Sequence, residues 1–119
     1  MPEAVRHQSQ VDHNKHLLGE ALFRVDESSY PDWIVTIAFY AAMHSVDREL
    51  ADLGLGDPRN HEVRRFLIRN RLGNSRIWGA YEALEEESRK ARYECVKFDP
   101  DRVKEALALL TRIESALAA

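Results

Sequence analysis

The sequence has one cysteine, four prolines and five glycines, and it lacks a long uninterrupted apolar run. A single thiol, Cys95, cannot form a disulfide within the chain, which favours a reducing compartment such as the cytoplasm. The apolar stretch that starts at Trp33 is interrupted at His44, short of the ~20 apolar residues that a membrane span needs. A net charge of −3 gives no general attraction to nucleic acid or anionic lipid.

Motifs that hold cofactors are also missing. The sequence contains no Cys-x-x-Cys pair, no zinc-finger spacing and no Gly-rich phosphate loop. No nucleophile and base stand at a spacing that would bring them together. We therefore expect no bound cofactor, and we expect no membrane association.

The stretch from Trp33 to Leu53 is the strongest structural signal. It contains neither Gly nor Pro, and its first three turns are apolar on nearly every side. A helix that is apolar on every side must be covered on every side. The sequence therefore predicts a central core helix with Phe39 and Ala42 in the core.

The remaining segments are helical in pattern, and none alternates with a period of two. Asp57 or Asn60 is a candidate cap for the third helix, whose predicted buried residues are Val63, Phe66 and Leu67. The predicted helices cover residues 11–25, 33–53, 58–72, 75–96 and about 100–117. We predict an all-α fold, an antiparallel four- to five-helix up-and-down bundle. Residues 1–10 are expected to be a flexible N-terminus, and 11–119 a single domain.

The central helix and two later segments resemble HEPN-family domains. The resemblance rests on Trp33 with the block Phe39-Tyr40-Ala41-Ala42-Met43-His44, on the Gly-containing loop before His61, and on Ser88-Arg89-Lys90-Ala91-Arg92-Tyr93. It implies a helical bundle, frequent homodimers and a link to nucleotide or RNA biology. Some members of the family are toxin-like ribonucleases of toxin–antitoxin systems. Others are non-catalytic partners of nucleotidyltransferases.

The ribonuclease members carry an Arg followed after four to six residues by a His. Here Arg69-Asn70 is present, but Asn74 stands where the histidine would be. Asparagine cannot exchange a proton near neutral pH as imidazole can. We therefore expect a non-catalytic, homodimeric module that binds a nucleotide, RNA or a protein partner. The alternative is a divergent ribonuclease that uses Arg69 and Asn70 with His44 or His61.

Three further sets of residues are candidates for binding. An arginine-rich segment is a candidate phosphate site, centred on Arg64, Arg65, Arg69 and Arg71, with Arg59 and Arg76 at its ends. The acidic run 82–87 can neutralise it. A pocket or interface is expected around Tyr40, His44, Trp78, Arg92 and Tyr93, where Arg92 is expected to pair with a carboxylate.

The third set is a candidate metal site on the first helix. His13, His16 and Glu20 share one helix side and can meet on its surface. The alternative is an ordinary solvated face. The sequence thus leaves open a binding module, a ribonuclease and a metal-binding bundle.

Overall fold

A computed structural model of the chain describes residues 2–20, 30–72, 75–94 and 96–118. These residues form five helices and no strand, packed as a bundle: α1 (Pro2–Leu18), α2 (Pro31–Asp52), α3 (His61–Arg71), α4 (Ser75–Tyr93) and α5 (Pro100–Ala118). Helix α2 contacts α1, α4 and α5, and α3 contacts α4. The all-α prediction with a central second helix is confirmed. Cys95, Gly73 and Asn74, and Ala21, Leu22 and Val25 of the predicted first helix, lie outside the described residues.

Helix α2 has clear start and stop signals. Pro31 and Asp32 occupy its first turn, where a missing amide hydrogen and a negative charge are both favourable. At its end, the Leu55 amide donates to the Leu50 carbonyl and the Gly54 amide to that of Ala51, both at 3.0 Å. This is a Schellman motif, and it needs a left-handed residue at Gly54, whose φ is 80°.

The helices α3 and α5 begin with side-chain caps. The Asn60 side chain accepts a hydrogen bond from the Val63 amide at 2.9 Å. That of Asp99 accepts one from the Arg102 amide at 2.8 Å. Both contacts satisfy an amide that has no partner within its own helix. Asn60, rather than Asp57, is therefore the cap of α3.

The core is built around α2. Phe39 and Ala42 are fully buried, as predicted. The other buried apolar residues of the cluster are Ile34, Val35, Ala38, Ala41, Val46, Leu50, Ile68, Ile77, Ala80, Tyr81, Leu84, Phe98, Val103, Ala106, Leu110 and Ile113. The side chain of Trp33, however, is 56% exposed. Its neighbours Ile34 and Val35 are fully buried, so Trp33 lies on an uncovered side of the first turn, and the prediction that this helix is covered on every side is wrong at that position.

Two further predictions need correction. Helix α1 begins at Pro2 rather than near Val11. Ala4 and His7 are buried and extend its packing toward the N-terminus, although this segment is polar in composition. In α3, the buried residues are Arg64 and Ile68. Of the residues predicted to be buried, Leu67 packs partly buried against the core, but Phe66 is 56% exposed. The inward face of α3 is therefore rotated toward Arg64, which pairs with a buried acid on α2.

Candidate functional site

A continuous line of polar side chains crosses the bundle between α1 and α4. It consists of Asp57, His7, His44, Asp47, Arg64, His61 and Glu85, and we call it the polar relay. Its members come from four helices and from the loop between α2 and α3. The buried members must find partners inside the protein, because an unpaired buried polar group is costly.

The first part of the polar relay joins α1 to α2. The His7 ring, nearly buried, places Nδ1 2.8 Å from Nδ1 of His44. Its Nε2 lies 2.7 Å from Oδ1 of Asp57. A carboxylate only accepts hydrogen bonds, so His7 Nε2 carries the hydrogen and donates it to Asp57. Arg6 also donates to this carboxylate, at 3.1 Å.

The second part is a buried ion pair between α2 and α3. Arg64 donates through Nε and Nη2 to the two oxygens of Asp47, at 2.7 and 3.0 Å. Their side chains are 9% and 3% exposed. Burial opposes the charge of Arg64, but the hydrogen bonds and charge of Asp47 outweigh it and raise the pKa of the guanidinium. The remaining Arg64 Nη1 lies 3.3 Å from Nδ1 of His61.

The third part reaches α4. His61 Nδ1 lies 3.6 Å from Oε2 of Glu85. The other oxygen of Glu85 accepts a hydrogen bond from Arg65 Nε at 2.6 Å. The acidic run of α4 therefore does neutralise part of the arginine-rich segment, because Glu85 pairs with Arg65.

Two histidines of the polar relay are held toward the neutral form. Burial lowers the pKa of His44, and the neighbouring His7 lowers it further. Burial and then the charge of Arg64 lower the pKa of His61, although Glu85 opposes this. A neutral imidazole has one ring nitrogen with a free lone pair, so both rings suit proton exchange or metal binding.

A separate, exposed feature is an aromatic face at the start of α2 and the end of α4. We define it by Trp33, Tyr40, Arg92 and Tyr93. Arg92 Nη1 donates to the Tyr40 hydroxyl at 2.8 Å, and its guanidinium lies 5.2 Å from the centre of the Tyr93 ring. Among the described residues no carboxylate pairs with Arg92, contrary to the prediction, and the aromatic rings and the Tyr40 hydroxyl stabilise its charge.

The residues predicted for catalysis do not come together. Asn70 donates its side-chain amide to the Phe66 carbonyl of its own helix, at 2.8 Å. The Arg69 guanidinium lies 4.9 Å from the centre of the Trp78 ring. Eight residues of helix separate Arg69 from His61, about 12 Å along the axis. The Arg69–Asn70 pair is therefore remote from His61, and Asn74 lies outside the described residues.

The predicted interface is divided by the structure. Tyr40, Arg92 and Tyr93 are neighbours, but His44 belongs to the polar relay. Trp78 is partly buried against the core beneath Arg69. Trp78 is therefore not part of the aromatic face, and Arg69 lies over its ring.

Only some of the arginines predicted to form a phosphate site on α3 are free to bind phosphate. Arg64 and Arg65 are paired with acids. Arg59, Arg69 and Arg71 are exposed, and within the described ranges none of them has an acidic partner. The side chain of Arg76 lies outside the described part. The surface charge available to phosphate is accordingly smaller than the sequence suggested.

The metal candidates on α1 stay on the surface. His16 Nε2 lies 3.1 Å from Oε1 of Glu20, and their side chains are 76% and 55% exposed. His13 is exposed as well. The residues that sequence reasoning missed are His7, Asp47 and Asp57. Asp47 stands three residues after His44, so it could have been noticed as a neighbour on the same helix face.

The chain matches no known protein-family model, and no characterised protein or solved structure matches it either. Among the described residues, no helix combines the length and hydropathy that crossing a membrane requires.

Proposed function

We propose that this chain is a non-catalytic, HEPN-like helical module that forms a homodimer through its aromatic face. The observation that carries the proposal is the exposure of Trp33 and Tyr93, at 56% and 72%, beside Arg92. Tryptophan, tyrosine and arginine are the residues that most often dominate the energy of protein interfaces. Their clustering on one face of a small bundle favours a protein contact there.

The charges around this face suit a second copy of the same chain. Asp32 and Lys97 line one open hollow beside Arg92. In the part of the chain that the structure describes, neither has an ion-pair partner. A two-fold interface brings the same patch of both subunits together, so a patch that holds both signs can match itself. Asp32 of one subunit can then meet Lys97 of the other.

The polar relay supports the non-catalytic part of the proposal. A catalytic arginine must direct free donors at the phosphate charge that develops during cleavage. Arg64 has Nε and Nη2 on Asp47, and its Nη1 faces His61. Its role in this arrangement is to hold α3 on α2. A nucleotidyltransferase-type partner, which the resemblance implies, stays a prediction, as does weak RNA binding by Arg59, Arg69 and Arg71.

The homodimer is tested by sedimentation equilibrium at micromolar concentration. We expect a species of twice the 13.7 kDa chain mass. The double variant Trp33→Ala, Tyr93→Ala should shift it to the monomer, because it removes the two exposed aromatic anchors. Phe66→Ala is the matched control, since Phe66 is equally exposed but lines neither hollow at the aromatic face. A clean 13.7 kDa species for the natural chain would contradict the proposal.

The absence of ribonuclease activity is tested by incubation with a mixed RNA pool. We expect no cleavage above a protein-free blank, with or without EDTA, because Arg64 directs its donors at Asp47 and His61, and Arg69 lies over the Trp78 ring. The variants His44→Gln and His61→Gln are run in parallel. Cleavage by the natural protein that either substitution removes would overturn the non-catalytic proposal and identify the proton-transfer group.

A further inference from the structure

Three side chains of the polar relay lie at metal-binding distances from one another. His7 and His44 each offer a ring nitrogen, and Asp47 offers a carboxylate oxygen, all within 4.8 Å of one another. Within residues 2–20, 30–72, 75–94 and 96–118, this is the one group of three His, Cys, Asp or Glu side chains so arranged. His7 and Asp47 are 8% and 2% exposed, whereas His44 is half-buried.

The orientation of His7 matches that of a metal ligand with a supporting partner. Its Nε2–H is held by Asp57, which leaves the lone pair on Nδ1, the atom that faces His44. Metal-bound histidines almost always donate their other ring N–H to a carboxylate, a carbonyl or a water. Asp57 therefore fixes the tautomer of His7 and directs its Nδ1 lone pair toward His44, beside Asp47.

We propose that His7, His44 and Asp47 bind one Zn²⁺ ion, through the two Nδ1 atoms and a carboxylate oxygen. Two imidazoles and one carboxylate are a donor set that zinc accepts, with a water as the fourth ligand.

Zinc binding requires both imidazole rings to tilt, because their Nδ1 atoms point at each other, with the ring centres 5.0 Å apart. Zinc bonds of ~2.0–2.1 Å place tetrahedral ligand atoms about 3.3 Å apart. The two Nδ1 atoms, now 2.8 Å apart, must separate slightly, and the carboxylate oxygen must approach them.

Asp47 can serve both Arg64 and the ion. A carboxylate has about four lone-pair sites, and Arg64 uses one on each oxygen. The nearby guanidinium charge opposes a dication, whereas Asp57 behind His7 favours it. Without the ion, His44 Nδ1–H donates to His7 Nδ1. Zinc binding moves the His44 hydrogen to Nε2, so that both Nδ1 lone pairs point at the metal.

The test uses full-length, tag-free protein that has been stripped with EDTA and dialysed. Zn²⁺ binding is measured by calorimetry, and Co²⁺ serves as a spectroscopic probe because its visible absorption reports tetrahedral coordination. We expect one ion per chain. His44→Gln should weaken Zn²⁺ binding more than tenfold and abolish the tetrahedral Co²⁺ band. Asp57→Asn should weaken it about 10- to 100-fold, the usual range for a supporting partner.

The matched control is the double variant His13→Gln, His16→Gln, which removes two exposed histidines from the same helix. It should leave affinity and stoichiometry unchanged. Zn²⁺ should also raise the melting temperature of the natural protein but not that of His44→Gln, because only the folded state holds the site. The test substitutes His44 and not His7, because His44 is only half-buried and its loss disturbs the packing less. Fe²⁺ in the same titration, without oxygen, tests the other ion that two histidines and a carboxylate suit.

Three results would overturn the proposal. The first is no saturable Zn²⁺ binding by the natural protein. The second is binding that His44→Gln leaves intact, and the third is binding that the His13, His16 control removes. None depends on the oligomeric state, so this proposal and the homodimer can fail separately.

Discussion

Phe39→Ala should lower the free energy of unfolding by about 3–5 kcal/mol, the usual range for removing a buried phenylalanine. The ring is fully buried at the centre of α2. It packs against Tyr81 and Tyr40, with centroids 5.6 and 5.5 Å away, and faces His61 on α3. Its removal takes apolar contacts from α2, α3 and α4 together. The bundle cannot close the resulting cavity by moving a single helix.

The measurement is urea unfolding followed by circular dichroism. Phe66→Ala is the control for the substitution itself, because Phe66 is 56% exposed on α3. Its effect should stay near 0.5 kcal/mol, about what surface substitutions produce. A loss below ~1 kcal/mol for Phe39→Ala would mean that α2 is not the central element, since buried aromatics cost several times more.

The helical class and most helix boundaries follow from local signals. The Pro31-Asp32 start, the Asn60 and Asp99 caps and the glycine loop after Asp52 all act within a few residues of the chain. Such signals are visible in the sequence because the groups that interact are close along it. The bounds of α2 through α5 were therefore predictable to within a few residues.

The rotation of α3 was not predictable in the same way. Hydrophobic periodicity predicted that Phe66 is buried, but in the structure Arg64 is buried on that helix instead. A buried arginine needs an acidic partner. The partner of Arg64 is Asp47, which lies seventeen residues earlier in the chain. No helical pattern within α3 contains that information.

The polar relay shows the same limit. His44 and His61 were noticed, and the structure places both in the polar relay. His7 and Asp57 were not predicted, because the contacts join residues that are far apart in the sequence. His7 is 37 residues from His44 and 50 residues from Asp57. Residues 1–10 are polar in composition, so nothing local indicated that His7 would be buried on the inner face of α1.

The buried pair of Asp47 and Arg64 gives the second large effect. Arg64→Met should lower the free energy of unfolding by about 3–5 kcal/mol, because it leaves the Asp47 charge buried without a partner. The carboxylate is 3% exposed and cannot recover its hydration without opening the contact between α2 and α3. Asp47→Val should cost a similar amount, since it leaves the guanidinium, which is 9% exposed, in the same position.

The double variant Asp47→Val, Arg64→Met separates the charge effect from the packing effect. Replacing both partners of a buried ion pair with apolar residues is often neutral or stabilising, so the double variant should be more stable than either single one. Urea unfolding of all four proteins in EDTA gives the coupling energy, free of any contribution from bound metal. Single-variant losses below ~1 kcal/mol would mean that the pair is solvated, and Arg64 would then be free to bind phosphate. Additive losses would mean that each side chain acts through packing alone, and that the ion pair does not hold α3 on α2.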